Sequence, residues 1–171
     1  MIAVFQPVVV SAKMTTPQDI FAECPAQVRG RTLEPSAVYE LMRDRYALHR
    51  GPAGTSDDRP IEIIEGKPDD RAIAAGTVGP VYALQPAGTQ AVPTGLVFVR
   101  FKAGVKATER TKDIERAGYK IARTVEYSPG AAWLRDTSNN IGQALNGIPK
   151  LENIAGVENV EPQMLMARAS R

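Results

Sequence analysis

The sequence predicts an α+β protein. An irregular N-terminal region with short helices and strands precedes a β-α-β-β-α-β unit with an antiparallel sheet and two helices on one face. Three observations predict it. Most of the prolines fall in residues 1–90, among short periodic pieces. From residue 94 to 163, helical and strand periods alternate regularly. Gly104, Gly118 and the cluster Ser128-Pro129-Gly130 then fall at the joints between those periods.

In the first region, Thr16-Pro17 followed by Asp19 supplies an N-cap, a first-turn proline and a first-turn acid. They open a brief helix that stops near Pro25. Pro35 and Ser36 lead into Val38, Leu41, Met42 and Arg45, whose spacing predicts a helix of about three turns. GPAGTSDDRP is a loop by composition. IEIIE (61–65) and VYALQ (81–85) are short strands, GKPDD is a turn, and QPAGTQAVPTG is a Pro/Gly link into the second unit.

That unit reads more plainly. GLVFVRFK (95–102) is a strand bounded by Gly95 and Gly104. Residues 106–117 are helical, with Ala107, Ile114 and Ala117 on one side, and Gly118 stands where a C-terminal cap glycine belongs. YKIARTVEY (119–127) alternates as a strand, Ser128-Pro129-Gly130 is a turn, and AAWLRD (131–136) returns. Ser138 or Asn139 caps a second helix carrying Ile141, Ala144, Leu145, Ile148 and Leu151 at three/four spacing. GVENVEP (156–162) closes the order β-α-β-β-α-β, the ferredoxin-like pattern.

With both helices on one face, the other face should be polar where it meets water. The first strand of the unit breaks that rule. Leu96 and Phe98 point one way while Val97, Val99 and Phe101 point the other, and Trp133 and Leu134 divide similarly. Phe98 and Trp133 therefore mark an open sheet face that something covers: a partner, or the chain's own first ninety residues.

Composition narrows the function classes. The 171 residues are 43% hydrophobic and 23% charged, enough for a sizeable core. Formal charge is +2 with acids and bases interspersed, and the arginine clusters lack interleaved aromatics, so nucleic acid is not an expected partner. Cys24 is alone, which excludes an intrachain disulfide and leaves no Cys/His metal spacing. No cofactor or metal is expected. The start, MIAVFQPVVVSAKM, lacks a basic segment and is interrupted by Gln6 and Pro7, so it reads as a strand or arm rather than a signal peptide. No run reaches membrane-spanning length, and a cytoplasmic location is the default expectation.

The block VFVRFKAGVKA, the helix after it, Gly118, the hairpin, the helix ending in IPKLENIAGV and the closing VENVEPQ is similar to the propeptide domain of subtilisin-like serine proteases. The same domain occurs as free-standing protease inhibitors. The resemblance covers about residues 94–169, and its ending is the most specific part. Residues 1–90 lie outside it.

The resemblance implies an inhibitor, a folding chaperone, or both, for a subtilisin-like protease. It implies that the open face docks on two surface helices of the protease. Acids near the end of the last strand would accept hydrogen bonds from those helices' N-termini, where unpaired N–H groups and the dipole favour a carboxylate. Glu161 matches the first acid, and Gln163 stands at the second, where an amide oxygen accepts without charge. The tail, residues 164–171, would add as a strand in the substrate cleft. Its binding residues are Met164, Leu165, Met166, Ala167, Arg168 and Ala169, with Ala169 nearest the cut and Met166 at the apolar pocket. If Arg171 is the true end, the corresponding pair is Arg171 and Arg168.

Nothing points to catalysis. The only histidine, His49 in MRDRYALHRG, lacks a glycine-flanked setting, and no Ser-His-Asp set assembles around it. Asp57/Asp58 and Asp69/Asp70 are acids in turn-like sequence. The alternative to a protease-directed protein is a non-inhibitory interaction module whose sheet face is covered by its own N-terminal half.

Overall fold

A computed structural model describes residues 19–30, 37–50 and 60–166. The fold is α+β and dominated by one antiparallel sheet. Its strands are β1 (Gln27–Arg29), β2 (Val38–Arg50), β3 (Ile61–Glu65), β4 (Gly76–Gln85), β5 (Thr89–Phe101), β6 (Tyr119–Val125), β7 (Ser128–Asp136) and β8 (Val157–Met166). The helices are short: α1 (Asp19–Ala22), α2 (Asp70–Ala75), α3 (Thr111–Arg116, entered through a 3-10 turn at Ala107–Arg110), α4 (Ile141–Asn146) and α5 (Ile148–Glu152).

β5 is the spine. Its C-terminal half pairs with β7, from Leu96↔Arg135 to Arg100↔Ala131, and β6 lies beyond β7. Its N-terminal half pairs with β4 through Tyr82↔Ala91 and Leu84↔Thr89, and β2 lies beyond β4. β8 runs along the opposite edge, from Phe101↔Val157 to Ala91↔Met166. Within residues 95–166 the spatial order is thus β8-β5-β7-β6, all antiparallel. The boundary expected at residues 90–94 falls inside β5, so the described part of the first ninety residues continues the same sheet.

Alternation along β5 and β7 sends Val97, Val99, Phe101, Ala132 and Leu134 to the helix side. There they join Ile114, Ala144, Leu145, Ile148 and Leu151 in the main core. The N-terminal half contributes Val28, Tyr39 and Tyr82 to the same cluster, and the Tyr82 hydroxyl donates to the Pro25 carbonyl at 2.9 Å. The segment after α1 also clamps α4: Asn140 and Asn146 donate to the Glu23 carboxylate and carbonyl respectively. A Cβ on Gly142 would lie 3.0 Å from the Glu23 carbonyl oxygen, so any larger residue there would press on this contact.

Several sequence expectations need correction. The helix expected from Val38 to Arg45 is the first part of β2. Leu41 and Met42 point to opposite faces of the strand, Leu41 to the main core and Met42 to the cluster of Ala47, Val81 and Val92, and the strand bulges between Met42 and Ala47, where the Gly66 N–H donates to the Asp44 carbonyl at 2.6 Å. Pairing with β4 and with β1 and β3 satisfies the backbone, and this tertiary context overrides a weak local preference. The Pro/Gly link is a hairpin from β4 into β5, turning at Gly88 with φ 72°. Pro93 is tolerated within β5 beside the lapse in β8 pairing between Pro93 and Val97.

The GKPDD turn ends in an unexpected helix, α2. Asp69 caps it by accepting from the Ala72 N–H at 2.8 Å. The turn expected at Ser128-Pro129-Gly130 is displaced to Glu126-Tyr127, because Ser128 already pairs with Val125. The cap of α4 is Asn140, not Ser138 or Asn139, since the Asp136 carboxylate holds Ser138. The single helix expected over 141–151 is two, broken at Gly147-Ile148-Pro149. In contrast, IEIIE forms β3 as read, and Gly118 adopts φ 93° after α3.

Candidate functional site

The face opposite the helices carries one row of side chains across four strands. Register places Glu161 of β8 opposite Phe98 of β5, Phe98 opposite Trp133 of β7, and Trp133 opposite Arg123 of β6. Phe98 and Trp133 pack as a tilted pair, with centroids 5.2 Å apart and planes at 60°. The Arg123 guanidinium carbon lies 5.3 Å from the Trp133 ring centroid. Both aromatic residues are only partly buried, and neither belongs to a buried cluster. The row runs from carboxylate through two aromatic rings to guanidinium: apolar at its centre and charged with opposite sign at its ends.

Glu161 is positioned by a neighbour. The Asn159 amide, two residues earlier on the same face of β8, donates to Glu161 Oε1 at 2.7 Å. Burial, and secondarily the Glu161 carboxylate, push the Tyr39 phenol above its ordinary pKa. Gln163 sits at the irregularity of β8, where its Oε1 accepts from the Thr94 hydroxyl at 2.7 Å. That intrachain bond occupies part of the amide expected to cap a partner helix.

The expected tail divides. Met164, Leu165 and Met166 belong to β8 and pair with Pro93, Val92 and Ala91. Met164 packs against the main core, while Leu165 and Met166 are exposed. Ala167, Arg168 and Ala169 lie outside the described residues.

Sequence reading identified Phe98, Trp133 and Glu161 but missed Arg123 and Asn159. Asn159 was findable, since two residues' separation in a strand shares a face. Arg123 was not, because a register irregularity between Ile121 and Arg123 shifts the alternation. Other reactive side chains lie elsewhere. Cys24 is buried, with its thiol pushed up to about 11 by burial and then by Glu23, and His49 is buried in β2. Among the described residues no group of three or more His, Cys, Asp or Glu side chains is placed to hold a metal ion.

Comparison with known proteins adds no relative: no family model, curated protein or solved structure matches the chain.

Proposed function

We propose that the chain is a propeptide-like inhibitor, a folding chaperone, or both, for a subtilisin-like serine protease, and that residues 95–166 form a ferredoxin-like unit that docks by its open face. The strand order β8-β5-β7-β6, with α3 and α4/α5 packed on one side, supports the fold part of that reading. The observation that carries the function is the row Glu161–Phe98–Trp133–Arg123 on the side the helices leave free.

The chemistry fits docking on helices. A carboxylate held by Asn159 is prepared to accept from the orphan N–H groups at a helix N-terminus. The aromatic pair supplies a compact apolar centre, the kind of surface from which interfaces draw most of their energy. Arg123 at the far end sets a positive charge over the Trp133 ring. Catalysis has no role in this reading.

Of the described N-terminal residues, Val28, Tyr39 and Tyr82 join the helix-side core.

The test is binding of the purified chain to an active-site-blocked subtilisin-type protease. Trp133→Ala should weaken binding by about tenfold or more, as expected of a central aromatic residue. Glu161→Ala should weaken it by a smaller factor that shrinks at high salt. Binding unaffected by either substitution would refute docking by this face.

A further inference from the structure

β8 is built in two parts. Residues 157–162 pair with Val97–Phe101, pairing then lapses, and residues 164–166 resume against Ala91–Pro93. Prolines stand on both sides of the lapse, Pro93 and Pro162, and neither has an N–H to offer the ladder. The Thr94–Gln163 hydrogen bond bridges the gap. The second part is therefore short and interrupted at its root. Leu165 and Met166 are 37% and 41% exposed, while their partners Val92 and Ala91 are buried. Those partners are themselves held by the N-terminal half, because Ala91 also pairs with Tyr82 of β4.

We infer that residues 91–93 are a resting site for the tail, built by the N-terminal half, from which residues 164–166 must peel away before they can enter a protease cleft. The inference rests on the proposed protease-directed function and assigns a role to the region outside the propeptide-like unit. A strand gives one backbone edge to one neighbour. While 164–166 pair with β5, only their outer backbone edge is open, so they cannot lie between the two walls of a cleft, and Met164 stays against the core. Only the molecules with the tail released are competent, so apparent affinity falls by the fraction released. Three pairs, one involving a proline, make the latch weak enough to open, with an expected penalty on the order of tenfold.

The experiment locks the latch. Val92→Cys and Leu165→Cys, directly opposed in register, are combined in a Cys24→Ser background and assayed against a subtilisin-type protease, oxidised and reduced. The reduced protein should inhibit, and the oxidised protein should inhibit about tenfold less or not at all. Equal inhibition in the two states would overturn the latch and leave the protease reading intact. No inhibition by either state or by the unsubstituted chain would overturn that reading, and the latch with it. Two measurements stand apart from disulfide formation. Hydrogen exchange of the unsubstituted chain should show protected amides within 164–166, and exchange there at the rate of a free peptide would overturn the proposal. Thr94→Val, which removes the bridge to Gln163, should raise the association rate several-fold, and an unchanged rate would count equally against it.

Discussion

Trp133 and Leu134 are neighbours in β7 but face opposite ways, and truncating each should have opposite consequences for size and cost. Leu134 is fully buried, opposite Val97 and Ile121, within the main core. Leu134→Ala leaves a cavity there and should destabilise the fold by about 2–5 kcal/mol. Trp133 is far larger but only partly buried, and its ring pairs with Phe98 and with the Arg123 guanidinium. The tilted pair is worth about 1 kcal/mol and an exposed cation–π contact about 0.5–1 kcal/mol. With the part of the ring that is buried added, Trp133→Ala should cost about 2–3 kcal/mol, below the roughly 3–5 kcal/mol typical of a Trp truncated in a closed core. Urea unfolding at constant slope measures both. Trp133 is also the only tryptophan, so its fluorescence reports the face directly. Acrylamide should quench the native protein readily. A loss for Trp133→Ala equal to that of a core truncation, with weak quenching, would mean that the face is covered and that the docking surface does not exist in the free chain.

Other outcomes follow from the packing. A Cβ at residue 147 would collide with the Tyr119 hydroxyl and lie 2.8 Å from its ring Cε2 and Cζ, so Gly147→Ala should destabilise by about 1–3 kcal/mol in the same assay. Asn140→Ala removes the cap that accepts from the Gln143 N–H and the bond to Glu23; it should cost about 1 kcal/mol in thermal unfolding. Cys24 titrates near 11 instead of its ordinary 9.0, so the fold favours the neutral thiol. Its stabilising contribution is complete below pH 9.0 and is lost as pH rises toward about 11, which an alkaline unfolding series would detect. By the same shift the thiolate fraction at about pH 8 falls roughly a hundredfold, so native Cys24 should alkylate far more slowly than in urea.

Where pattern and packing agreed, the fold was legible. Val97, Val99 and Phe101 against Phe98, and Leu134 against Trp133, alternate in sequence as they do across the sheet. Gly118 and the apolar spacing from Ile141 to Leu151 were readable because short-range rules govern caps and helix faces. β2 was not, because apolar residues on both faces of the strand mimic a helical spacing and the residues that pair with it lie far along the chain. Pro93 hid the first half of β5, since proline normally ends a strand and only the lapse beside it makes room. The row on the open face was half legible for the same reason. Phe98, Trp133 and Glu161 follow simple alternation, whereas Arg123 reaches Trp133 through an irregularity that no local signal announces. The pairing of Met164–Met166 with β5 depends on the N-terminal half, whose place in the sheet is a long-range property.

The most direct measurement is the initial rate of a subtilisin-type protease titrated with the intact chain and with a chain lacking residues 164–171, each first checked for a cooperative unfolding transition. The account predicts inhibition by the intact chain at micromolar concentration or below, and its loss on removal of the tail. No inhibition at any concentration, or inhibition that survives the deletion undiminished, would contradict it.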